Sequence, residues 1–214
     1  MTWRMRVISN TSPILNLAII GQLELLREQF GEITISNAVR AELQSDQDRP
    51  GSHAIQAALQ AGWIKVAPAQ NYALVQVLQH SLDEGEAEAI ALALELRADF
   101  VLLDERDGRK SAQSLGLSVV GVLGILLKAR RAGRVASLRQ AIQDLQTQAA
   151  FRIHPRLMAE IQALPEYQDT QSKKRLAEVK ARYAVKPHAR RKINLSGDNP
   201  APVRLRRGQG RRSL

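Results

Sequence analysis

Phe100, Val101, Leu102 and Leu103 form an unbroken apolar run that ends at Asp104. A short strand that is apolar at every position is buried on both faces, as happens inside a parallel sheet covered by helices on each side. The rest of the chain repeats the same grammar. "RVISN" (6–10), "ITIS" (33–36), "WIKVAP" (63–68) and "LSVVG" (117–121) read as further short strands. Helical periodicity fills the intervals: "TSPILNLAIIGQLELLREQFG" (11–31), "NAVRAELQS" (37–45), "HAIQAALQAG" (53–62), "YALVQVLQHSL" (72–82), "EGEAEAIALALELRA" (84–98), "RDGRKSAQSLG" (106–116) and "VLGILLKARRAG" (122–133). Two more helical stretches, "VASLRQAIQDLQTQAA" and "HPRLMAEIQAL", close the body. Alternation of this kind predicts an α/β fold in three layers, with a central parallel sheet flanked by helices. Local signals place Ser12 as an N-cap with Pro13 at the first helical position and Gly31 after the end. Ser36 or Asn37 caps the next helix.

Charge divides the chain in two. The net charge is +10, yet residues 1–170 hold 17 Lys+Arg against 19 Asp+Glu, while residues 171–214 hold 14 against 2. We therefore expect a folded body over residues 1–165 and a basic, disordered tail over 166–214, because the tail lacks the apolar periodicity needed to offset its ordering entropy. Lys173, Lys174, Arg190, Arg191, Lys192, Arg206 and Arg207 belong to that tail, and an excess of bases suits contact with nucleic-acid phosphates. A solubilising extension is the other reading. There is no cysteine, which excludes disulfides, thiolate zinc sites and a thiol nucleophile. No apolar stretch reaches membrane-span length and the N-terminus has no signal-peptide pattern, so a cytoplasmic setting is expected.

Candidate chemistry lies at strand ends, where ligands gather in open parallel sheets. Asn10 and Asp104 each end a strand, and Glu42 sits on the short helix that follows the second one. Glu86 is more specific. At about 100° per residue it points with Ile90 and Ala93 into the apolar face, whereas Glu84 and Glu88 turn toward solvent. Ser81 and Glu84 have the spacing of a capping box. An ionised carboxylate turned inward costs several kcal/mol unless a cation or donors meet it. A bound metal ion would supply the cation, and so would an arginine such as Arg109. Asp, Glu and amide oxygens without Cys make a hard-cation set suited to Mg²⁺ or Mn²⁺. His53, His80, His154 and His188 lack ligand spacing, and we find no phosphate-binding glycine loop, nucleophile elbow or Ser/His/Asp grouping. Carboxylates with a divalent ion typically perform phosphoryl or phosphodiester transfer.

Four segments in order, "VISNTSPIL", "ISNAVRAEL", "GEAEAIALALELRADFVLLDERDGRKSAQSLGL" and "GVLGILLKARRAG", followed by "FRIHPRLMAEIQAL", resemble a PIN domain over residues 6 to about 164. In detail they are similar to a bacterial subfamily related to VapC-type toxin nucleases. The resemblance implies an α/β endoribonuclease that uses Mg²⁺ or Mn²⁺ held by several acids. It implies an RNA substrate, with a small antitoxin protein and a second copy of the chain as further partners. The family's four acids fall on Asn10, Glu42, Glu86 and Asp104, with Asp107 at a position where many members carry another. Thr11 and Ser12 match as supporting hydroxyls, and Arg109 and Lys110 join the tail as candidate RNA contacts. The chain departs from the pattern at Asn10, whose amide oxygen can ligate a cation but brings no charge. Two other readings stay open: a catalytically inactive RNA-binding module of the same fold, and a phosphate-handling regulatory domain built on Asp104 alone.

Overall fold

The structure is a computed structural model that describes residues 5–45 and 48–168. Five strands form one sheet: β1 (Val7–Ser9), β2 (Ile33–Ile35), β3 (Ile64–Val66), β4 (Phe100–Leu102) and β5 (Val119–Val120). Their order is β3-β2-β1-β4-β5 and each paired neighbour is parallel. The helices are α1 (Thr11–Ile19), α2 (Glu24–Phe30), α3 (Asn37–Gln44), α4 (Ser52–Gln60), α5 (Tyr72–Leu78), α6 (Glu84–Glu95), α7 (Arg106–Ser114), α8 (Val122–Arg131), α9 (Leu138–Gln148) and α10 (Pro155–Gln162). The expected three-layer α/β architecture is therefore present. The central strands β1 and β4 alternate their side chains between two cores, as the period of two requires. Val7 and Leu102 face a cluster with Ile14, Leu17, Leu26 and Ile125 from α1, α2 and α8. Ile8, Val101 and Leu103 face a second cluster with Ile90, Leu92, Leu78 and Ala112 from α5, α6 and α7. Both faces are covered, which is why the β4 sequence is apolar throughout.

The strand order places a topological switch between β1 and β4, because the chain builds outward from β1 through β2 and β3, then crosses back to add β4 and β5. Loops diverge at such a point and leave a crevice beyond the carboxyl ends of the two strands. Ser9 pairs with Leu102 in register, so Asn10 and the residues after Leu102 leave the sheet side by side.

Three local expectations need correction. The long first helix is two helices, α1 and α2, interrupted near Gly21, which adopts φ +66°. Its N-cap is Asn10 rather than Ser12, because the Asn10 N–H is held by the Leu102 carbonyl at 3.0 Å and the chain turns into helix at once. Pro13 accordingly sits inside the first turn, where its missing N–H costs nothing. On α6 the cap is Asp83, whose Oδ1 accepts the Glu86 N–H at 2.7 Å, and no Ser81–Glu84 box forms. Ser36 caps α3, its hydroxyl accepting the Val39 N–H at 3.2 Å. Of the basic tail expected over 166–214, residues 169–214 lie outside the described residues.

Candidate functional site

Asn10 is delivered to the crevice by β1 and is 3% exposed, with its backbone committed to β4 and its side-chain Oδ1 without a hydrogen-bond partner. Next to it, the Thr11 hydroxyl donates to Glu42 Oε2. Glu42 reaches the same place from α3. A Cβ built on Gly85 at the start of α6 would stand 2.9 Å from Glu42 Oε1 and 3.1 Å from Asn10 Oδ1. The two oxygens thus share one small volume roofed by the first turn of α6. Ser12 follows in the first turn of α1, half-buried.

Glu86 projects from that first turn of α6 toward α7 and lies against Gly108. It is 3% exposed and its Oε1 has no hydrogen-bond partner. The inward direction expected from helical periodicity is therefore correct. Burial, reinforced by the negative charges of Asp83, Glu105, Asp107 and Glu42, raises the carboxyl from its ordinary 4.5 to about 7. Asp83, Glu86 and Glu105 offer ligand atoms that lie within 4.8 Å of one another. Asp107 is exposed on the first turn of α7.

Asp104 leaves β4 in another direction. Its Oδ1 accepts the Val122 N–H at 2.8 Å, at the start of α8, and its Oδ2 accepts from Asn16 Nδ2 at 3.4 Å. Burial raises this carboxyl to about 6, against the Val122 and Asn16 hydrogen bonds and the nearby Arg109 charge, which lower it. Arg109 donates to the Leu103 carbonyl at 2.8 Å and accompanies Asp104. The arginine alternative for Glu86 is thus not what the structure shows: the charges acting on Glu86 are acids. Lys110 is exposed on α7. The negative charge of Glu105 adds to the raising of both Glu86 and Asp104, but Asp104 is not part of the Asp83–Glu86–Glu105 group. The tail residues Lys173, Lys174, Arg190, Arg191, Lys192, Arg206 and Arg207 lie outside the described residues.

Sequence reasoning missed Asp83, Glu105 and Asn16. A signal existed for Asp83, three residues before Glu86 in the Asx-cap pattern. Glu105 and Asn16 carried none, since only the packing of α7 and α1 brings them in. Glu88 was also misjudged: it is half-buried and its Oε2 accepts the Ala38 N–H at 3.0 Å, tying α6 to the first turn of α3.

What this constellation can do follows from its donors. Carboxylates and one amide oxygen, two of them buried with an unused lone-pair oxygen, fit a hard divalent cation bound through oxygen. Uncompensated buried acids otherwise cost stability. No helix among the described residues is long and apolar enough to cross a membrane. Residues 6–166 match a family model, DUF3368, described as a PIN domain. No curated protein matches the chain.

Proposed function

The chain belongs to the PIN-domain family, and from that premise we propose that it is a divalent-metal-dependent endoribonuclease. The observation that carries the reading is the pair of buried, unpartnered oxygens, Asn10 Oδ1 and Glu86 Oε1, set among acids at the sheet's switch point. Glu42, Glu86, Asp104 and Asp107 supply the charge in this reading, with Asn10 as a neutral ligand and Thr11 and Ser12 in support. Thr11 orients Glu42 through its hydroxyl. Asp83 and Glu105 extend the acidic rim beside Glu86. A bound Mg²⁺ or Mn²⁺ would supply Lewis acidity toward a phosphodiester and make water a better nucleophile at neutral pH. The chain's own part is to set Glu42 beside Asn10 and to bury Glu86 among acids, where its carboxyl keeps a proton up to about pH 7 and a cation would take the proton's place. Lys110 and the basic tail would meet RNA phosphates outside the cleft. A toxin-like role, with the activity restrained by a small antitoxin protein or tied to a homodimer, extends the reading and draws its support from the sequence resemblance.

A second reading is a catalytically silent RNA-binding module, favoured by the neutral amide of Asn10 where the family pattern has an acid. Wild type, Glu86→Gln, Asp104→Asn and Asn10→Asp compared on one RNA across a Mg²⁺ and Mn²⁺ titration separate the two. The nuclease reading expects wild-type cleavage that is lost in Glu86→Gln and enhanced at limiting Mg²⁺ in Asn10→Asp. Binding without cleavage by all four proteins supports the module instead.

A further inference from the structure

Three glycines at the site share a geometry unlike the turn glycines. Gly116 and Gly133 have positive φ and open space where a side chain would be, so backbone conformation accounts for them. Gly85, Gly108 and Gly121 are not among the positive-φ glycines, and each has a site carboxylate standing where its Cβ would go. At Gly85, the second residue of α6, the obstructing atom is Glu42 Oε1 at 2.9 Å, with Asn10 Oδ1 at 3.1 Å. At Gly108, the third residue of α7, it is Glu86, whose Cδ would be 2.8 Å away. At Gly121, the N-cap of α8, it is Asp104 Oδ1 at 2.9 Å, with Arg109 Nη1 at 3.0 Å.

We infer that Gly85, Gly108 and Gly121 are positioning residues for the site, each present because its missing side chain leaves room for one carboxylate: Glu42, Glu86 and Asp104 respectively. A glycine in the first turn of a helix weakens that helix relative to alanine, so local stability does not explain Gly85 or Gly108. Positive φ does not explain them either. What remains is contact: a Cβ at either position would overlap the carboxylate beside it, so its absence leaves Glu42 and Glu86 the space they occupy. The three glycines come from three different helices and serve three different acids, which ties them to the site as a whole and not to one turn.

The inference rests on the metal-binding reading above, and its test separates the two. Mn²⁺ binding to the full chain is measured by isothermal titration calorimetry, and melting temperature is recorded in EDTA, for wild type, Gly85→Ala and Gly108→Ala. Gly124→Ala is the control: Gly124 is an exposed α8 glycine whose Cβ would meet only Val120 Cγ1, at an ordinary 3.6 Å. Both site variants are expected to lose Mn²⁺ affinity by about tenfold or more, the usual scale for disturbing groups that orient metal ligands. Their melting temperatures in EDTA should hold or rise. The control should rise by roughly 1–4 °C with unchanged affinity. Shortening the displaced acid by one methylene, as in Gly85→Ala with Glu42→Asp and Gly108→Ala with Glu86→Asp, should recover part of the lost affinity. Equal Mn²⁺ binding by wild type and both site variants overturns the positioning role while leaving the metal reading intact. A marked fall in melting temperature, with no recovery in the paired variants, overturns it in favour of plain helix packing. Absence of Mn²⁺ binding by wild type overturns the metal reading itself and this inference with it.

Discussion

Glu86→Gln offers the sharpest test, because it sets stability against function through one charge. The substitution keeps the shape of a side chain that is 3% exposed and removes its negative charge. In the folded protein burial and four neighbouring acids raise the Glu86 carboxyl from 4.5 to about 7. At about 1.4 kcal/mol per pH unit, that corresponds to a cost on the order of 3 kcal/mol when the group is ionised and no cation is present. The sign follows from proton binding. Between the two values the folded state holds the proton more tightly than the unfolded state, so the contribution of Glu86 to stability is greatest below about 4.5 and is lost as pH rises through 7. The full penalty applies above about 7. Glu86→Gln lacks that titration, so in EDTA at pH 8 it should melt above wild type by roughly 6–12 °C, given about 2–4 °C per kcal/mol for a chain of this size. Near pH 4.5 the two proteins should melt together. Added Mn²⁺ should stabilise wild type by about 2.7 kcal/mol at a hundredfold excess over its dissociation constant, and Glu86→Gln far less. Thermal unfolding followed by circular dichroism across pH, with EDTA or Mn²⁺, measures all of these. A Glu86→Gln protein less stable than wild type at pH 8 in EDTA would refute the reasoning, since the buried charge would then have to be compensated within the chain.

Other consequences can be checked in the same preparations. Asn10→Asp places a further carboxylate beside Glu42 and should tighten Mg²⁺ binding while lowering the metal-free melting temperature; calorimetry showing unchanged affinity would remove position 10 from the site. Asp104→Ala deletes the acceptor for the Val122 N–H at the start of α8 and should be about 1 kcal/mol less stable than Asp104→Asn, which keeps an oxygen acceptor; because burial raises the Asp104 carboxyl to about 6, Asp104→Asn should be no less stable than wild type in EDTA at pH 8. Deleting residues 171–214 removes 14 bases and 2 acids and should weaken RNA binding and flatten its salt dependence, because each neutralised phosphate releases counterions. An unchanged salt slope would show that the tail makes no phosphate contacts.

Much of the fold was legible in local pattern. The strands are short segments rich in β-branched and other apolar residues, and the central β4, covered on both faces, has no polar side to disguise it. Asn10 and Asp104 were visible as strand ends, and the inward turn of Glu86 was visible as a phase on the helix it occupies. Helix starts were read less well. Ser12 and Pro13 form a strong start signal, yet the Asn10 N–H is held by Leu102 across the sheet and the helix begins at Thr11. Ser81 and Glu84 match a capping box, but Asp83 takes the cap with its carboxylate.

The sequence by itself determined that this chain folds as a helix-covered parallel sheet with carboxylates at its carboxyl edge, because periodicity and apolar runs are local and survive without knowledge of neighbours. Only the tertiary structure decided how those carboxylates are shared out. Glu86 turns to α7, where Asp83 and Glu105 join it. Glu42 turns to Asn10 under α6, and Asp104 turns to the start of α8 with Asn16 and Arg109. These choices depend on which helix backbone stands beside each acid and on whether a Cβ is in the way. Both are properties of packing between segments far apart in the chain, to which no local periodicity responds.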